Sequence, residues 1–345
     1  MQIDLSTDYL GMQLKNPLIV GSSGLTGSVK KIQEIEKKGA GALVLKSIFE
    51  EEIAFEHTAF MKRASKAGSQ PQYFEYDGRM NPIEFYDYKI REENLGKYTR
   101  LIKESKEAVS IPVIASINCC HHSVEWISYA KQIQEAGADA LELNMFFLPS
   151  NFETTAEETE KTYFQIVEKV VQALDIPISL KISYYFTDLG PMIQRLSETG
   201  IKGLVLFNRF FSPDFDLDKF EVKPSFTFSS PSDLSLSLRW VAVMAERVDC
   251  DLAASTGVHD SKGVLKQILA GATAVQLVSC LYKNGVGYIE TLLEEMAVWV
   301  HNKGFRQLSD FRGKLSQKRS QNPSLYERAQ FMRYFGGKNY EGGSK

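Results

Sequence analysis

Cysteine is scarce in this 345-residue chain, and the four that occur show no CxxC spacing: Cys119, Cys120, Cys250 and Cys280. A disulfide scaffold or a zinc fold is therefore not expected, and reduced thiols are the default. Long apolar runs are missing too, since no stretch approaches the ~20 apolar residues of a membrane-spanning helix, and the first residues lack a basic start followed by an apolar core. We expect a cytoplasmic protein.

Neither sign of charge dominates the chain. Forty Lys and Arg against 43 Asp and Glu give a net charge of -3, so no global field draws the protein to nucleic acid or to an anionic membrane. The sequence has no GxSxG, P-loop, GxGxxG after a strand, or HExxH motif, which argues against the hydrolases, kinases and metalloproteases that use them. The expected partner is a small molecule that is recognised locally.

What the chain does have is a repeating alternation of short apolar, β-rich runs and longer amphipathic segments. The helix-like segments include residues 124–136, 157–174 and 287–302. The β-rich runs cover residues 17–22, 41–46, 112–117, 139–144, 177–182, 203–208, 251–255 and 273–279. Eight strand–helix repeats predict a (β/α)8 TIM barrel, with a doubly wound open sheet as the alternative.

Segments that do not fit the repeat define the domain organisation. We predict a barrel over residues 1–315, with insertions of about 50–100 after strand two and 210–234 after strand six, and a C-terminal extension over 316–345. Insertions at strand carboxyl ends usually form lids or binding loops. In the extension, residues 324–334 predict a helix that docks on the barrel or on a second subunit.

Polar residues collect at the predicted carboxyl ends of the strands, where barrel active sites form. Strand alternation points Lys46, Glu142 and Lys181 inward. A buried lysine needs an anion or a hydrogen-bonded partner, so Lys181 is expected to meet Glu142 of the neighbouring strand or an anionic ligand. The whole ring comprises Ser22, Ser23, Lys46, Ser47, Asn118, Asn144, Lys181, Ser183, Asn208, Thr256 and Ser279.

Two further motifs invite ligand interpretations. The loops after strands seven and eight, with Thr256-Gly257 and Ser279, lie where this fold commonly binds phosphate, and a helix opening at Asp260-Ser261 would present its N-terminal amides to an anion. The run at 119–122, CCHH, suggests a metal, but adjacent ligands do not easily converge on one tetrahedral ion. Packing or helix capping is the better interpretation of that run, and no metal is predicted.

A series of motifs runs in order from about residue 3 to 315: LKNP at 14–17, SSG at 22–24, LKS at 45–47, AGADALELN at 136–144, LKI at 180–182, AGA at 270–272 and DFRGKL at 310–315. Together they resemble the dihydroorotate dehydrogenases, and Tyr185-Phe186 after Lys181 is most similar to the soluble, fumarate-using class 1A branch. The resemblance implies an FMN-containing (β/α)8 barrel of pyrimidine biosynthesis, usually a cytoplasmic homodimer.

The resemblance also implies roles for individual residues. Lys181 would lie near the pyrimidine edge of the isoalloxazine ring, where a cation stabilises the anionic reduced flavin. The substrate would be held over the ring by Lys46, Asn81, Asn144 and Asn208. The residues matching flavin contacts are Ser22, Ser23, Lys46, Ser47, Asn144, Lys181, Asn208, Thr256, Gly257 and Ser279.

The chain departs from the family at the catalytic base. After the matching asparagine, class 1A enzymes have Ser-Cys-Pro-Asn, whose cysteine takes the substrate proton. Here residues 145–151 read MFFLPSN, so Phe147 or, after a one-residue shift, Leu148 takes the cysteine position, and neither accepts a proton. With further realignment, Ser150 would imitate the serine base of the membrane-associated class. Tyr184 and Tyr185 are other conceivable acids.

The loops that match the family's phosphate-binding loops also depart from the family, because other residues replace some of its glycines. Glycine at such positions lets backbone amides approach a phosphate closely. The hydroxyls of Ser255, Thr256 and Ser279 would substitute for that contact. The family's glycines appear here as Thr256-Gly257 after strand seven, Val278 in strand eight and Ser230 after the second insertion.

These observations leave one leading hypothesis and two alternatives. The leading one is an FMN-dependent oxidoreductase that moves a hydride between flavin N5 and a small planar substrate, pyrimidine-like or an enone, with an unidentified electron acceptor. The missing base weighs against dihydroorotate itself. The first alternative is a non-catalytic flavin- or phosphate-binding barrel that acts as an accessory or partner subunit. The second is a Schiff-base aldolase that uses Lys46 or Lys181.

Overall fold

Parallel strands close into an eight-stranded barrel in the computed structural model, which describes residues 3–49, 82–119, 125–145, 147–209, 212–225 and 228–327. In chain order the strands are β1 (Thr7–Tyr9), β2 (Met12–Leu14), β3 (Leu18–Val20), β4 (Ala42–Val44), β5 (Ile48–Phe49), β6 (Val113–Cys119), β7 (Ala140–Met145), β8 (Ile178–Ile182), β9 (Gly203–Leu206), β10 (Pro213–Asp216), β11 (Glu221–Pro224), β12 (Asp251–Ala254) and β13 (Ala274–Leu277).

The barrel strands lie in the order β4, β3, β13, β12, β9, β8, β7, β6, and pairing of β4 with β6 closes the ring. Each barrel strand lies within its predicted run or extends it by no more than two residues. Closure confirms the TIM barrel over the open sheet. The runs are mostly apolar because both faces of a parallel strand are buried, one in the barrel and one under helices.

Helices cover the outside of the barrel and begin close to their predicted starts. The segments predicted over 124–136, 157–174 and 287–302 form α3, α4 and α9. The described helices are α1 (Val29–Lys37), α2 (Pro82–Ala108), α3 (Glu125–Glu135), α4 (Ala156–Ala173), α5 (Leu189–Ser197), α6 (Leu234–Met244), α7 (Ser261–Ala270), α8 (Ser279–Asn284), α9 (Tyr288–Asn302) and α10 (Ser324–Glu327). No helix in these ranges is long and apolar enough to span a membrane.

Side-chain alternation along the strands divides the core as predicted. Ala42 and Val44 pack inside the barrel, whereas Leu43 and Leu45 belong to the larger core between strands and helices. The same alternation on the other strands fills the barrel interior with Ile19, Ile114, Ala140, Val205, Ala253 and Ala274.

The hairpin of β1 and β2 closes the amino end of the barrel. Tyr9, Leu10 and Leu14 pack against the interior residues, and the Leu10 amide donates to Oδ2 of Asp251 at 2.8 Å. Gly203 opens β9 directly above the hairpin, where a Cβ atom would stand 2.6 Å from Cδ2 of Leu10. In the described part of the chain the hairpin thus covers the amino end of the barrel axis, opposite the carboxyl ends of the strands.

Parts of the predicted insertions and of the C-terminal extension are described by the structure. Residues 82–100 of the first predicted insertion form the start of α2, and residues 50–81 lie outside the described part. In the extension, residues 316–327 dock on the end of α6: the Gln317 amide donates to the Ala242 carbonyl at 2.8 Å, and Arg319 pairs with Glu246 at 2.6 Å. The remainder, 328–345, is not described.

The second insertion forms a hairpin of β10 and β11 with one exposed apolar face. Phe215 lies opposite Val222 in the antiparallel register, and they are 65% and 66% exposed. Leu217 and Phe220, at the turn, are 81% and 93% exposed. A two-stranded hairpin is only marginally stable by itself in water, so this face is suited to being covered.

Candidate functional site

A buried network of three side chains crosses the barrel near the carboxyl ends of its strands. Nζ of Lys181 donates to Oε1 of Gln276 at 2.8 Å, and Nε2 of Gln276 donates to Oε2 of Glu142 at 2.5 Å. Nζ of Lys181 also lies 3.9 Å from Oε1 of Glu142. All three side chains are buried, with exposures of 8% for Lys181, 3% for Gln276 and 1% for Glu142. The predicted pairing of Lys181 with Glu142 is thus confirmed, with Gln276 as an additional bridge.

Gln276 was missed by the sequence analysis, although a signal for it exists. It occupies the inward face of β13, two residues after Ala274, in an otherwise apolar strand. A polar side chain at an inward barrel position needs a buried hydrogen-bonding partner. Strand alternation thus marks Gln276 as a polar residue of the barrel interior, although it does not say which partner the side chain meets.

Three polar residues line up across adjacent strands at the carboxyl ends. Asn118 of β6 is in register with Asn144 of β7, which is in register with Lys181 of β8. Nδ2 of Asn208 donates to Oδ1 of Asn144 at 2.5 Å. The structure therefore brings together the predicted residues Asn144, Lys181 and Asn208.

The Asn118 side chain has unmet hydrogen-bonding capacity. It is 1% exposed, and neither atom of its amide has a hydrogen-bond partner among the described residues. Leaving a buried amide unsatisfied is costly. A ligand edge that offers both a donor and an acceptor would relieve that cost, so Asn118, noted only as part of the polar ring, becomes a ligand-binding candidate.

Ser22 and Ser47, both predicted flavin contacts, are joined in a chain of hydroxyls. Oγ of Ser22 lies 2.9 Å from Oγ of Ser47, which lies 2.8 Å from Oγ of Ser116. The neighbouring Ser23 begins a short 3-10 helix, and its hydroxyl accepts from the Leu25 amide at 3.2 Å. These hydrogen bonds fix the positions of β3 and β4 at the mouth of the barrel.

Lys46 is not the buried inward lysine that the sequence predicts. It is exposed, and its Cδ lies 3.9 Å from the position that a Cβ atom on Gly27 would occupy. The reason is that β4 ends at Val44, so strand alternation no longer sets side-chain direction at position 46. Lys46 lies beside the loop that follows β3, and its ligand contacts stay a prediction.

The loop after β12 keeps a backbone that favours glycine at two successive positions. Thr256 has φ +74° and Gly257 has φ +82°. A β-branched residue in the left-handed region is strained by about 1–3 kcal/mol, and Oγ1 of Thr256 donates to the Phe207 carbonyl at 3.1 Å. A Cβ atom on Gly257 would stand 2.1 Å from the Leu234 nitrogen, so this glycine packs against the start of α6.

Ser279 joins this loop region to the second insertion. Its Oγ accepts from the Ser229 amide at 3.0 Å, and Nζ of Lys283 donates to the Ser229 carbonyl at 3.1 Å. Oγ of Ser229 also lies 3.1 Å from Nε2 of His259. Burial and the nearby Lys283 lower the pKa of His259. Neither His259 nor Lys283 was predicted, because they meet only where loops distant in sequence converge.

The anion site predicted at the start of α7 needs correction. The helix does begin at Ser261, but the Asp260 side chain accepts a hydrogen bond from the Gly263 amide at 2.7 Å. A capping carboxylate thus already occupies this end of the helix, where its charge also complements the helix dipole. The capping role follows from the position of Asp260 directly before Ser261, the first residue of the helix.

The departures at the other family glycines are accommodated locally. Cγ2 of Val278 lies 2.9 Å from where a Cβ atom on Gly21 would stand, so Gly21 provides the room for Val278. The Ser230 amide donates to Oδ2 of Asp233 at 2.7 Å, which begins the turn before α6.

The loop that should carry the base is held by aromatic packing. The ring centroid of Phe147 is 5.0 Å from that of Tyr163, which is 5.1 Å from that of Phe186. The Phe147 amide donates to Oη of Tyr163 at 3.3 Å, and burial raises the pKa of Tyr163 to about 12. Phe147, one of the two residues predicted to take the position of the family base, thus packs against Tyr163, while Leu148 is 56% exposed.

Ser150, the candidate base, is exposed and hydrogen-bonds within its own loop. Its amide donates to the Leu148 carbonyl at 2.7 Å, and its Oγ lies 3.5 Å from the same oxygen. No described contact joins it to Lys181 or Asn144, and its catalytic role stays a prediction. The hydrogen bond with Tyr185 raises the pKa of Tyr184, which makes it a weaker acid.

Some predicted residues lie outside the described part of the chain, namely Asn81 and residues 120–122 of the CCHH run. Among the described residues, no three His, Cys, Asp or Glu side chains are placed to hold a metal ion.

Comparison with known proteins identifies the family. The sequence model of the family described as "Dihydroorotate dehydrogenase" matches residues 4–299. The chain is 24% identical over 317 residues to the dihydroorotate dehydrogenase B (NAD(+)) catalytic subunit of Thermoplasma acidophilum, with 90% of this chain and 98% of the relative covered. It is 22% identical over 329 residues to the chloroplastic dihydropyrimidine dehydrogenase (NADP(+)) of Arabidopsis thaliana, with 90% and 76% covered. The likeness to class 1A in particular stays a prediction, but the extent of the family match shows that the chain belongs to the dihydroorotate dehydrogenase family.

Proposed function

We propose that this protein is an FMN-dependent oxidoreductase that transfers a hydride between flavin N5 and a small planar substrate, a pyrimidine or an enone. The observation that carries the proposal is the buried Lys181, aligned with Asn118 and Asn144 at the carboxyl ends of three adjacent strands. Bound flavin would supply a ring nitrogen that accepts or gives the hydride. A second molecule, the electron acceptor, would complete the cycle.

The side chains at the barrel mouth fit the flavin ring. Asn118 is buried and its amide donor and acceptor have no partner in the described part of the chain, which suits the edge of a heterocycle with alternating carbonyl and N–H groups. Lys181 supplies a buried cation near which negative charge on a ring is stabilised. Ser22, Ser23, Lys46 and Ser47 would complete the contacts on the side of β3 and β4.

The loops after β12 and β13 fit the phosphate end. Thr256 and Gly257 both have positive φ, a backbone conformation that favours glycine, and Ser279 adds a hydroxyl in the loop after β13. Lys283 adds a positive charge beside Ser229. Hydroxyl and ammonium groups would take over part of the binding that glycine amides provide in the family.

We further propose that dihydroorotate is not oxidised. Oxidation of a CH–CH bond releases a hydride and a proton, and the proton needs an acceptor close to the reacting carbon. Neither Phe147 nor Leu148, the two candidates for the position of the family base, has a side chain that accepts a proton. The substrate that does react would be held by Lys46, Asn81, Asn144 and Asn208.

The flavin proposal is tested by the colour and cofactor content of the purified protein. A yellow protein that releases FMN on denaturation, identified by chromatography, is the expected result. Lys181→Met and Asn118→Leu should lower the flavin-to-protein ratio severalfold. Lys202→Met, at an exposed position before the amino end of β9, is the matched control and should retain the ratio. A colourless protein, or equal flavin in all variants, would contradict the proposal.

Turnover is tested separately, under anaerobic conditions. Mixing with dihydroorotate should leave the visible flavin absorbance unchanged, whereas the reduced protein should be reoxidised by at least one member of a panel of enones and pyrimidines. Rapid bleaching by dihydroorotate would refute the argument from the missing base. A flavoprotein that reacts with no panel member would instead be the non-catalytic accessory subunit, an interpretation favoured by the apolar packing of Phe147.

We also propose that the protein is a cytoplasmic homodimer. The β10–β11 hairpin supports dimerisation, because its apolar face, with Phe215 opposite Val222, is exposed in the single chain. Exposed apolar patches of this kind mark protein interaction sites.

A further inference from the structure

A cavity of about 720 Å³ lies between the loop that follows β7 and the loop that follows β8. This volume is in the range of small-molecule sites. The start of α4 forms its floor. Its lining includes Phe147, Leu148, Glu160, Tyr184, Tyr185 and Phe186.

The loops that line the cavity directly follow the strands that carry Asn144 and Lys181. Phe147 follows Asn144 by three residues, and Tyr184 follows Lys181 by three residues. The ring of Tyr184 also packs edge-on against Phe207, 5.8 Å away, which precedes Asn208. A ligand held by Asn144 and Lys181 would therefore reach this cavity if it extended beyond its reacting ring.

The charge of the lining restricts what it accepts. Among the described lining residues Glu160 is the one that carries a charge, and it pairs with Arg195 at 3.3 Å. No Lys, Arg or His occurs in this described lining, so a carboxylate or phosphate that entered would give up part of its hydration without meeting a cation there. Aromatic rings and Leu148, in contrast, offer a surface on which an apolar ring is buried favourably.

We infer that this cavity binds an uncharged aromatic part of the substrate, which extends from the ring that reacts at the flavin. The inference rests on the proposed function, because it assigns the cavity to the substrate of that site. It gives the two departures at positions 147 and 148 a shared role. Phe147 stabilises the cavity wall through Tyr163, and the exposed side chain of Leu148 faces the ligand.

The test uses a pair of probes that differ in charge, 2-naphthol and 2-naphthoate, titrated against the purified protein and followed by naphthalene fluorescence. The neutral naphthol should bind at least about tenfold more tightly than the anion. Leu148→Ala and Tyr185→Ala should each weaken naphthol binding by about tenfold, because each removes apolar contact area. Phe152→Ala is the matched control, since Phe152 belongs to the same loop, is fully exposed and does not line the cavity.

A variant that adds a positive charge tests the inference without removing apolar contacts from the cavity. Thr159→Lys places a cation on the first turn of α4, in the lining, and should raise the affinity for naphthoate while lowering the preference for naphthol. Equal binding of both probes to the unmodified protein, or naphthol binding that is unchanged in Leu148→Ala and Tyr185→Ala, would overturn the inference.

Flavin content measured in the same samples separates the two proposals. Selective naphthol binding in a protein without flavin would support the cavity's specificity and reject the proposed function. A flavoprotein with no selective naphthol binding would support the proposed function and reject the inference about the cavity.

Discussion

Replacing Gln276 by Leu tests whether the buried network positions the lysine. The substitution keeps the volume of the side chain but removes a hydrogen bond to the ammonium of Lys181 and one to the carboxylate of Glu142. Buried hydrogen bonds to charged groups contribute about 1.5–3 kcal/mol each, so the gross loss is about 3–6 kcal/mol. Because Lys181 and Glu142 already lie 3.9 Å apart, closer approach of the two charges would recover part of it. We expect a net destabilisation of about 2–4 kcal/mol.

The assay is equilibrium unfolding in urea, read by far-UV circular dichroism and Trp fluorescence to verify coincident transitions. Combination with Lys181→Met gives a double-mutant cycle. In the Lys181→Met background, Gln276→Leu should cost at least about 1 kcal/mol less, because one of its two partners is already gone. A cost below about 1 kcal/mol for Gln276→Leu alone, or strictly additive effects in the cycle, would refute the account of a coupled network.

Three further predictions concern other parts of the molecule. Gly257→Ala should lower the free energy of unfolding by more than about 3 kcal/mol, and Gly285→Ala by only about 1 kcal/mol. Both glycines have positive φ, but only Gly257 lacks room for a Cβ atom. Equal effects of the two substitutions in urea unfolding would contradict this prediction. Phe215→Ser with Val222→Ser should shift the protein from dimer to monomer in sedimentation velocity, and an unchanged mass would exclude this face from dimerisation. Since burial lowers the pKa of His259, the unfolded state binds the proton more readily and stability should fall as the pH drops below about 6.5; His259→Asn should flatten that part of a thermal-melting pH profile, and an identical profile would contradict the assignment.

The barrel was predictable because its signals are local. Each barrel strand is a short run buried on both faces, and each is followed by a segment long enough to return across the sheet, so the pattern repeats whatever the distant contacts are. The alternation that places Leu43 and Leu45 under helices is equally local. It failed at Lys46, because the strand ends at Val44 and the following residues no longer obey a period of two.

The site was predictable in its position and in part of its membership. Strand ends mark the mouth of a parallel barrel, so Asn144 and Lys181 could be assigned to it from the sequence. The bridging role of Gln276 could not, since Glu142 and Gln276 are 134 residues apart and meet only across the closed barrel.

The sequence by itself determined the barrel, the carboxyl-end location of the polar ring, and the absence of a proton-accepting side chain at positions 147 and 148. Only the tertiary structure decided that Lys181 is held by Gln276, that neither amide atom of Asn118 has a partner among the described residues, and that Phe147 lines a cavity whose described lining holds no cation. The physical reason is that periodicity depends on neighbours along the chain. Hydrogen-bond satisfaction and electrostatic character depend on which atoms from distant segments share the same few ångströms.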